Sequence, residues 1–105
     1  MSALITAPKT AKKGDIITLK AMFAHPMETG YRRDISGAVI PRDILHTFTC
    51  HYDKDEVFRA DYFPAVAANP YISFTTIATT SGVLTFAWTG DDGKTFAERV
   101  KIEVI

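Results

Sequence analysis

The chain has 105 residues, 47% of them apolar and 23% charged, which suits one globular domain and gives no compositional ground for disorder. Its 12 lysines and arginines balance 12 aspartates and glutamates, so no whole-molecule field draws in a polyanion, and binding to nucleic acid or a membrane surface loses its electrostatic support. A single cysteine, Cys50, excludes an intramolecular disulfide.

Taken in chain order, the predicted elements are strands. A short one is expected at Ala3 to Thr6. Lys9, Lys12, Lys13 and Asp15 then interrupt the stretch where a signal peptide would carry its apolar core. No run of about eighteen apolar residues occurs anywhere, so no export or membrane signal is expected. After the Lys13-Gly14 turn, Ile17, Leu19, Ala21 and Phe23 alternate with Thr18 and Lys20, the pattern of a strand with one buried face. From Pro26 to Pro41 the alternation stops, and connections of that length tend to be functional or mobile. Arg32-Arg33 lies inside this loop with no apolar run behind it before Pro41, so it reads as solvated charge rather than a twin-arginine signal.

Alternation resumes at Ile44 to Tyr52, with Ile44, Phe48, Cys50 and Tyr52 facing the core and Thr47, Thr49 and His51 facing away. Short strands are expected at Glu56 to Tyr62 and Tyr71 to Ile77, with at most one short turn at Pro64 to Ala68 between them. Asp53 to Asp55, Asn69-Pro70 and Ser81-Gly82 punctuate the chain. Leu84, Phe86 and Trp88 begin a final hairpin, completed by Phe96 to Val104 and turned by Gly90-Asp91-Asp92-Gly93, whose Asp-Gly pair tolerates the positive φ of a tight turn. No window carries a helical stripe. The expected fold is all-β: an immunoglobulin-like antiparallel β-sandwich of about seven strands spanning residues 1–105 as a single domain.

No catalytic group assembles from these residues. Cys50 and His51 are strand neighbours and point to opposite faces. His46 shares a face with Cys50, yet four strand residues separate them by roughly 13 Å. Asp91 and Asp92 serve the turn first. The six glycines form no strand-to-helix phosphate loop. A thioether and an imidazole two residues apart, Met27 and His25, suit copper in an oxidising compartment, with a third ligand needed from His46, His51 or Met22. The plainer reading has His25 bonding its own backbone and Met27 making an apolar contact. A protein-binding surface is the other reading, since Met22, Met27, Tyr31, Phe63 and Tyr71 fall on an outer face, at element ends or in loops.

The segments His25-Pro26-Met27-Glu28-Thr29-Gly30, Ile40-Pro41-Arg42, Phe48-Thr49-Cys50, Asn69-Pro70-Tyr71 and Thr85-Phe86-Ala87-Trp88-Thr89-Gly90-Asp91-Asp92-Gly93 occur in an order and spacing that resemble the SoxZ family over roughly residues 8 to 104. The resemblance implies a non-catalytic subunit with no cofactor. Its partner would be SoxY, another immunoglobulin-like protein, which carries sulfur intermediates of thiosulfate oxidation on a cysteine in a glycine-rich C-terminal tail. It also implies transient contact with enzymes such as SoxAX, SoxB and SoxCD, and work in the periplasm, reached by co-export with a signal-bearing partner. The chain ends Val100 to Ile105 with no glycine-cysteine arm, so Cys50 is not expected to be the carrier. Docking is expected to involve one sandwich face and the loop residues His25, Met27, Glu28, Tyr31, Arg32, Arg33 and Arg42.

Overall fold

A computed structural model describes residues 3–62 and 68–105. Phe63, and the turn expected at Pro64 to Ala68 except for Ala68 itself, lie outside the described residues. The strands are β1 (Ala3–Thr6), β2 (Thr10–Ala11), β3 (Ile16–Phe23), β4 (Leu45–Tyr52), β5 (Asp55–Asp61), β6 (Tyr71–Ile77), β7 (Gly82–Gly90) and β8 (Thr95–Val104). They form a three-stranded sheet, β1-β3-β6, and a five-stranded sheet, β2-β8-β7-β4-β5. The chain is all-β and the immunoglobulin-like sandwich is borne out.

Two details depart from expectation. An eighth strand, β2, pairs with Glu103 and Val104 in parallel, so the arrangement is not wholly antiparallel. Ile44 and Leu45 are consecutive yet both fully buried. The β4–β7 register shifts between Leu45 and Thr47. A bulge there flips the inward set by one residue, so Leu45 replaces His46 on the core side.

The alternation seen in sequence is the core. Leu19, Ala21 and Phe23 of β3 face Phe48 and Cys50 of β4 and Leu84, Phe86 and Trp88 of β7, all nearly free of solvent contact. Phe48 is the hub, with ring centroids 5.2 Å from Trp88, 5.9 Å from Phe74 and 6.3 Å from Phe86, separations at which aromatic pairs add to simple burial. Phe58 of β5 stacks on Phe74 of β6 at 4.3 Å, joining the two sheets along one side. At the end of β4, the Tyr52 hydroxyl donates to the Thr80 carbonyl and accepts from the Thr79 N–H, fixing the β6–β7 connection.

The molecule measures 58 × 20 × 20 Å, with a radius of gyration of 16.1 Å, against about 13 Å for a compact domain of this length. Ten strand residues span about 33 Å. The short transverse dimensions leave the segment between β3 and β4, whose residues 31–39 are all exposed, only the long axis along which to project.

Candidate docking arm

The segment expected to be an irregular loop is an arm of two antiparallel limbs. Glu28 and Asp43 exchange both backbone hydrogen bonds at 2.9 Å, Ile40 donates to Arg32 at 2.8 Å, and Arg33 bridges Val39. At the tip, Gly37 donates to the Asp34 carbonyl at 3.0 Å and Asp34 N–H to Ala38 at 2.9 Å. That is a hairpin turn with Asp first and Gly fourth, the glycine at φ 87°. The Asp34 carboxylate accepts from Ser36 Oγ and from the Ser36 and Ala38 N–H groups, which holds it below the usual carboxylate range, the Ser36 hydroxyl contributing most.

The base of the arm is where the short sequence motifs meet. Asn69 and His25 clasp each other: the His25 N–H donates to Asn69 Oδ1 at 3.0 Å, and the Asn69 N–H to the His25 carbonyl at 2.6 Å. Met27 turns the chain outward in a left-handed conformation at φ 53°. Gly30, at φ 87°, passes so close to Arg42 that a Cβ there would lie 3.0 Å from the arginine Cβ; the position thus needs glycine for conformation and for space. Arg42 forms a two-point pair with Asp91 in the β7–β8 turn, 2.8 Å and 3.2 Å. Asp91 also accepts from the Ile44 N–H at 3.2 Å. The Arg42 guanidinium, ahead of the other contacts, keeps the Asp91 carboxyl below its ordinary value.

His25 and Met27 are interior, 5% and 4% exposed, which corrects their expected place among the docking side chains. His25 Nδ1 accepts from the Met27 N–H at 3.0 Å, and Met27 Sδ accepts from the Leu45 N–H at 3.3 Å. The thioether and one of the two imidazole nitrogens therefore face backbone hydrogens. The other imidazole nitrogen, Nε2, lies 3.9 Å from an Asp43 carboxylate oxygen. Among the described residues no three His, Cys, Asp or Glu side chains lie close enough to share an ion.

The other expected docking residues are accessible to differing degrees. Glu28 is partly shielded and pairs with Arg32, whose hydrogen bond lowers the carboxyl pKa. Tyr31 is 84% exposed. Arg33 bonds the Gly37 carbonyl at 2.9 Å, and no carboxylate among the described residues pairs with it. Ile35, fully exposed at the tip, and half-exposed Val39 were not singled out in sequence. The signal was available: in Asp34-Ile35-Ser36-Gly37 an apolar residue occupies a turn position that a hairpin tip cannot bury. Asp91 was read as a turn residue alone, and its partner lies 49 residues away.

Cys50 is fully buried in β4, and burial pushes its thiol up to about 12. His51 remains on the opposite face, because the register shift beside Cys50 falls on the β5 side of the ladder and leaves β4 against β7 regular there.

A family model described as sulphur oxidation protein SoxZ matches residues 5–101. The chain belongs to the SoxZ family. As a SoxZ-family member it is a component of the sulfur-oxidation system. No curated protein matches it in sequence. Solved structures share its fold: a superoxide reductase (neelaredoxin) from Ignicoccus hospitalis at TM-score 0.74 and 17% identity, covering 100% of this chain and 81% of that one. The sulfur carrier protein SoxY from Chlorobium limicola f thiosulfatophilum is similar at TM-score 0.69 and 15% identity, covering 98% and 78%. A superoxide reductase (neelaredoxin) from Archaeoglobus fulgidus follows at 0.64 and 13%, covering 96% and 86%. At these identities the likeness is one of fold. Among the described residues of this SoxZ-family chain, no helix is long and apolar enough to cross a membrane.

Proposed function

We propose that this SoxZ-family chain is the structural and recognition subunit of a SoxYZ-type sulfur carrier. It binds SoxY, whose C-terminal cysteine carries the sulfur intermediates, and presents the pair to enzymes such as SoxAX, SoxB and SoxCD in the periplasm, which it reaches by co-export with its signal-bearing partner. Family membership supports the first part. A carrier thiol has to ionise and travel, and Cys50 is suited to neither, being enclosed in a central strand with a raised pKa.

The observation that carries the recognition role is the arm. The domain holds Tyr31, Arg33 and Ile35 in solvent on a hairpin, and anchors that hairpin with hydrogen bonds from three separate parts of the chain, at Asn69, Asp91 and Leu45. Ordering the arm before binding removes an entropic cost that a flexible loop would meet on docking. An aromatic and an aliphatic side chain beside an unpaired guanidinium suit an enzyme surface with an apolar pocket and an acidic rim. Glu28 pairs with Arg32 and Arg42 with Asp91, which leaves Arg33 as the arm's guanidinium without a carboxylate partner among the described residues.

The test is a reconstituted thiosulfate-oxidising system with the chain carrying Tyr31→Ala, Arg33→Ala and Ile35→Ala together. The expected result is normal assembly with SoxY by native mass spectrometry and turnover reduced at least tenfold, chiefly through weaker enzyme affinity. Unchanged turnover would remove the arm from recognition. A chain that forms no complex with SoxY would remove the subunit reading altogether.

A further inference from the structure

The two sheets leave four edges: β1 and β6 in one, β5 and the β2–β8 side in the other. An open edge offers unpaired N–H and C=O groups to any passing strand, and proteins guard such edges with charge, bulges or shortness. Three of the four are guarded here. β1 has only four residues. β5 carries Asp55, Glu56, Arg59 and Asp61 and a register shift at Val57. β8 carries Glu98, Arg99 and Lys101 along the stretch that β2 does not pair.

The fourth edge has no such protection among the described residues. β6 reads Tyr-Ile-Ser-Phe-Thr-Thr-Ile, seven residues without charge, proline or glycine, and its ladder to β3 is unbroken from Tyr71 to Ile77. Short uncharged segments of high β-propensity are hazards when left open. The hydrogen bonds Phe23 N–H to Pro70 and Ala78 N–H to Asp15 set the phase of the ladder. Even-numbered residues turn toward β3, so Tyr71, Ser73, Thr75 and Ile77 direct their backbone N–H and C=O groups outward.

Beside the C-terminal half of this edge runs a groove of about 570 Å³, lined by Ile16, Val57, Thr75 and Ile77 together with Asp53 and Asp55. Neither carboxylate is ion-paired with a described residue, and Asp53 Oδ1 accepts from the Val83 N–H at 2.9 Å while keeping its negative charge. A second copy pairing through its own β6 brings no charge to meet them. A foreign strand bearing a lysine or arginine does.

We propose that β6 is a docking edge, completed by an extended strand of the partner subunit that adds to the three-stranded sheet and places a basic side chain against Asp53 and Asp55. The inference rests on the heterodimer reading above and gives it a surface, on β6 rather than on the arm.

The experiment compares amide hydrogen exchange in the free chain and in its complex with SoxY co-expressed from the same source. The amides of Tyr71, Ser73, Thr75 and Ile77 are expected to exchange freely alone and to become protected in the complex. Thr75→Pro removes an outward N–H without touching the ladder to β3, and should weaken assembly about tenfold or more. Thr75→Lys guards the edge by charge with the backbone intact, and provides the same result should the proline variant fold poorly. Asp53→Asn with Asp55→Asn should weaken assembly and flatten its salt dependence. A heterodimer of undiminished affinity in the Thr75 variants, with β6 exchanging as it does alone, overturns the edge and leaves the carrier reading standing. Absence of any heterodimer overturns both, and a homodimer through β6 overturns the choice of occupant.

Discussion

Arg42 and Asp91 lie 49 residues apart in sequence and meet through two parallel hydrogen bonds, Nε to Oδ2 at 2.8 Å and Nη2 to Oδ1 at 3.2 Å. One belongs to the returning limb of the arm and the other to the β7–β8 turn, so the pair fastens the projecting segment to the most regular hairpin of the sandwich. The arginine is 49% exposed, and solvent screens the pair, so its removal bears mainly on the arm. Arg42→Ala is expected to leave the global denaturant midpoint almost unchanged. The same variant should make residues 31–39 markedly more sensitive to limited proteolysis. Arg42→Lys keeps the charge but loses the two-point geometry and should fall closer to alanine than to wild type. Resistance to proteolysis equal to wild type in both variants would show that the arm does not depend on this pair.

The same contact makes the arm sensitive to acid. Asp91 is depressed below its ordinary value of 3.8, first by the Arg42 hydrogen bond and further by the Ile44 N–H. A carboxyl whose folded pKa is lowered contributes stability that is fully present above the unfolded value and is lost as pH falls through the folded one. Glu28, lowered by Arg32 from 4.5, and Asp34, lowered by Ser36 from 3.8, follow the same sign. Arm protection, followed by exchange at the Ile44 amide, should therefore be constant from neutrality to about pH 5 and decline below pH 4, with Asp91→Asn abolishing most of the pH dependence at that amide. A rise in protection on acidification would contradict the assigned contacts.

Met27 connects the arm to the core. Its thioether accepts from the Leu45 N–H, and its buried side chain joins the cluster that includes Leu45 and Trp88. Met27→Ala should destabilise the domain by about 2–4 kcal/mol, read as a shift of the denaturant midpoint at constant slope. Met27→Leu restores the packing without the sulfur acceptor and should recover most of that loss. Neither wild type nor variant is expected to bind copper(I) or copper(II) stoichiometrically, because Met27 Sδ and His25 Nδ1 already receive backbone hydrogens, and a neutral imidazole that accepts at Nδ1 carries its proton on Nε2. One tight equivalent of copper by titration calorimetry, lost in Met27→Ala, would reverse that conclusion.

Strand existence was legible because one-sided burial writes itself into sequence with a period of two. Ile17, Leu19, Ala21 and Phe23, then Leu84, Phe86 and Trp88, were assigned inward by alternation and are inward. What alternation could not register was the Leu45 bulge, since a one-residue shift looks like an ordinary apolar pair, or the two-residue β2, too short for any period. The arm followed the same division. Its length was visible, whereas its ordering comes from contacts at Asn69 and Asp91, distant in sequence and brought together by the sandwich alone. The docking reading of His25 and Met27 assumes that a proline-broken loop is exposed, whereas the plainer reading, a backbone-bonded imidazole and an apolar thioether, matches the structure. His25 is held inward by its clasp with Asn69, and Met27 is buried at a left-handed turn.

Cys50 provides a prediction that separates a structural thiol from a reactive one. Its pKa is pushed up from 9.0 to about 12 by burial, so at pH 8 only about one thiol in ten thousand is ionised in the folded chain. Alkylation by iodoacetamide should proceed only as fast as the domain opens, and should become rapid in denaturant. The linkage has the opposite sign to that of Asp91. The folded state keeps the thiol protonated, so this contribution is complete below pH 9 and is lost as pH rises from 9 toward 12, because the unfolded chain ionises first. Stability should thus fall by on the order of 1 kcal/mol between pH 9 and pH 10 from this group. Cys50→Ala should show a lower baseline, from the lost side-chain volume, and lack that part of the alkaline decline. A native chain that alkylates at pH 8 as quickly as a free thiol would show that Cys50 is accessible and return it to consideration as a chemical participant.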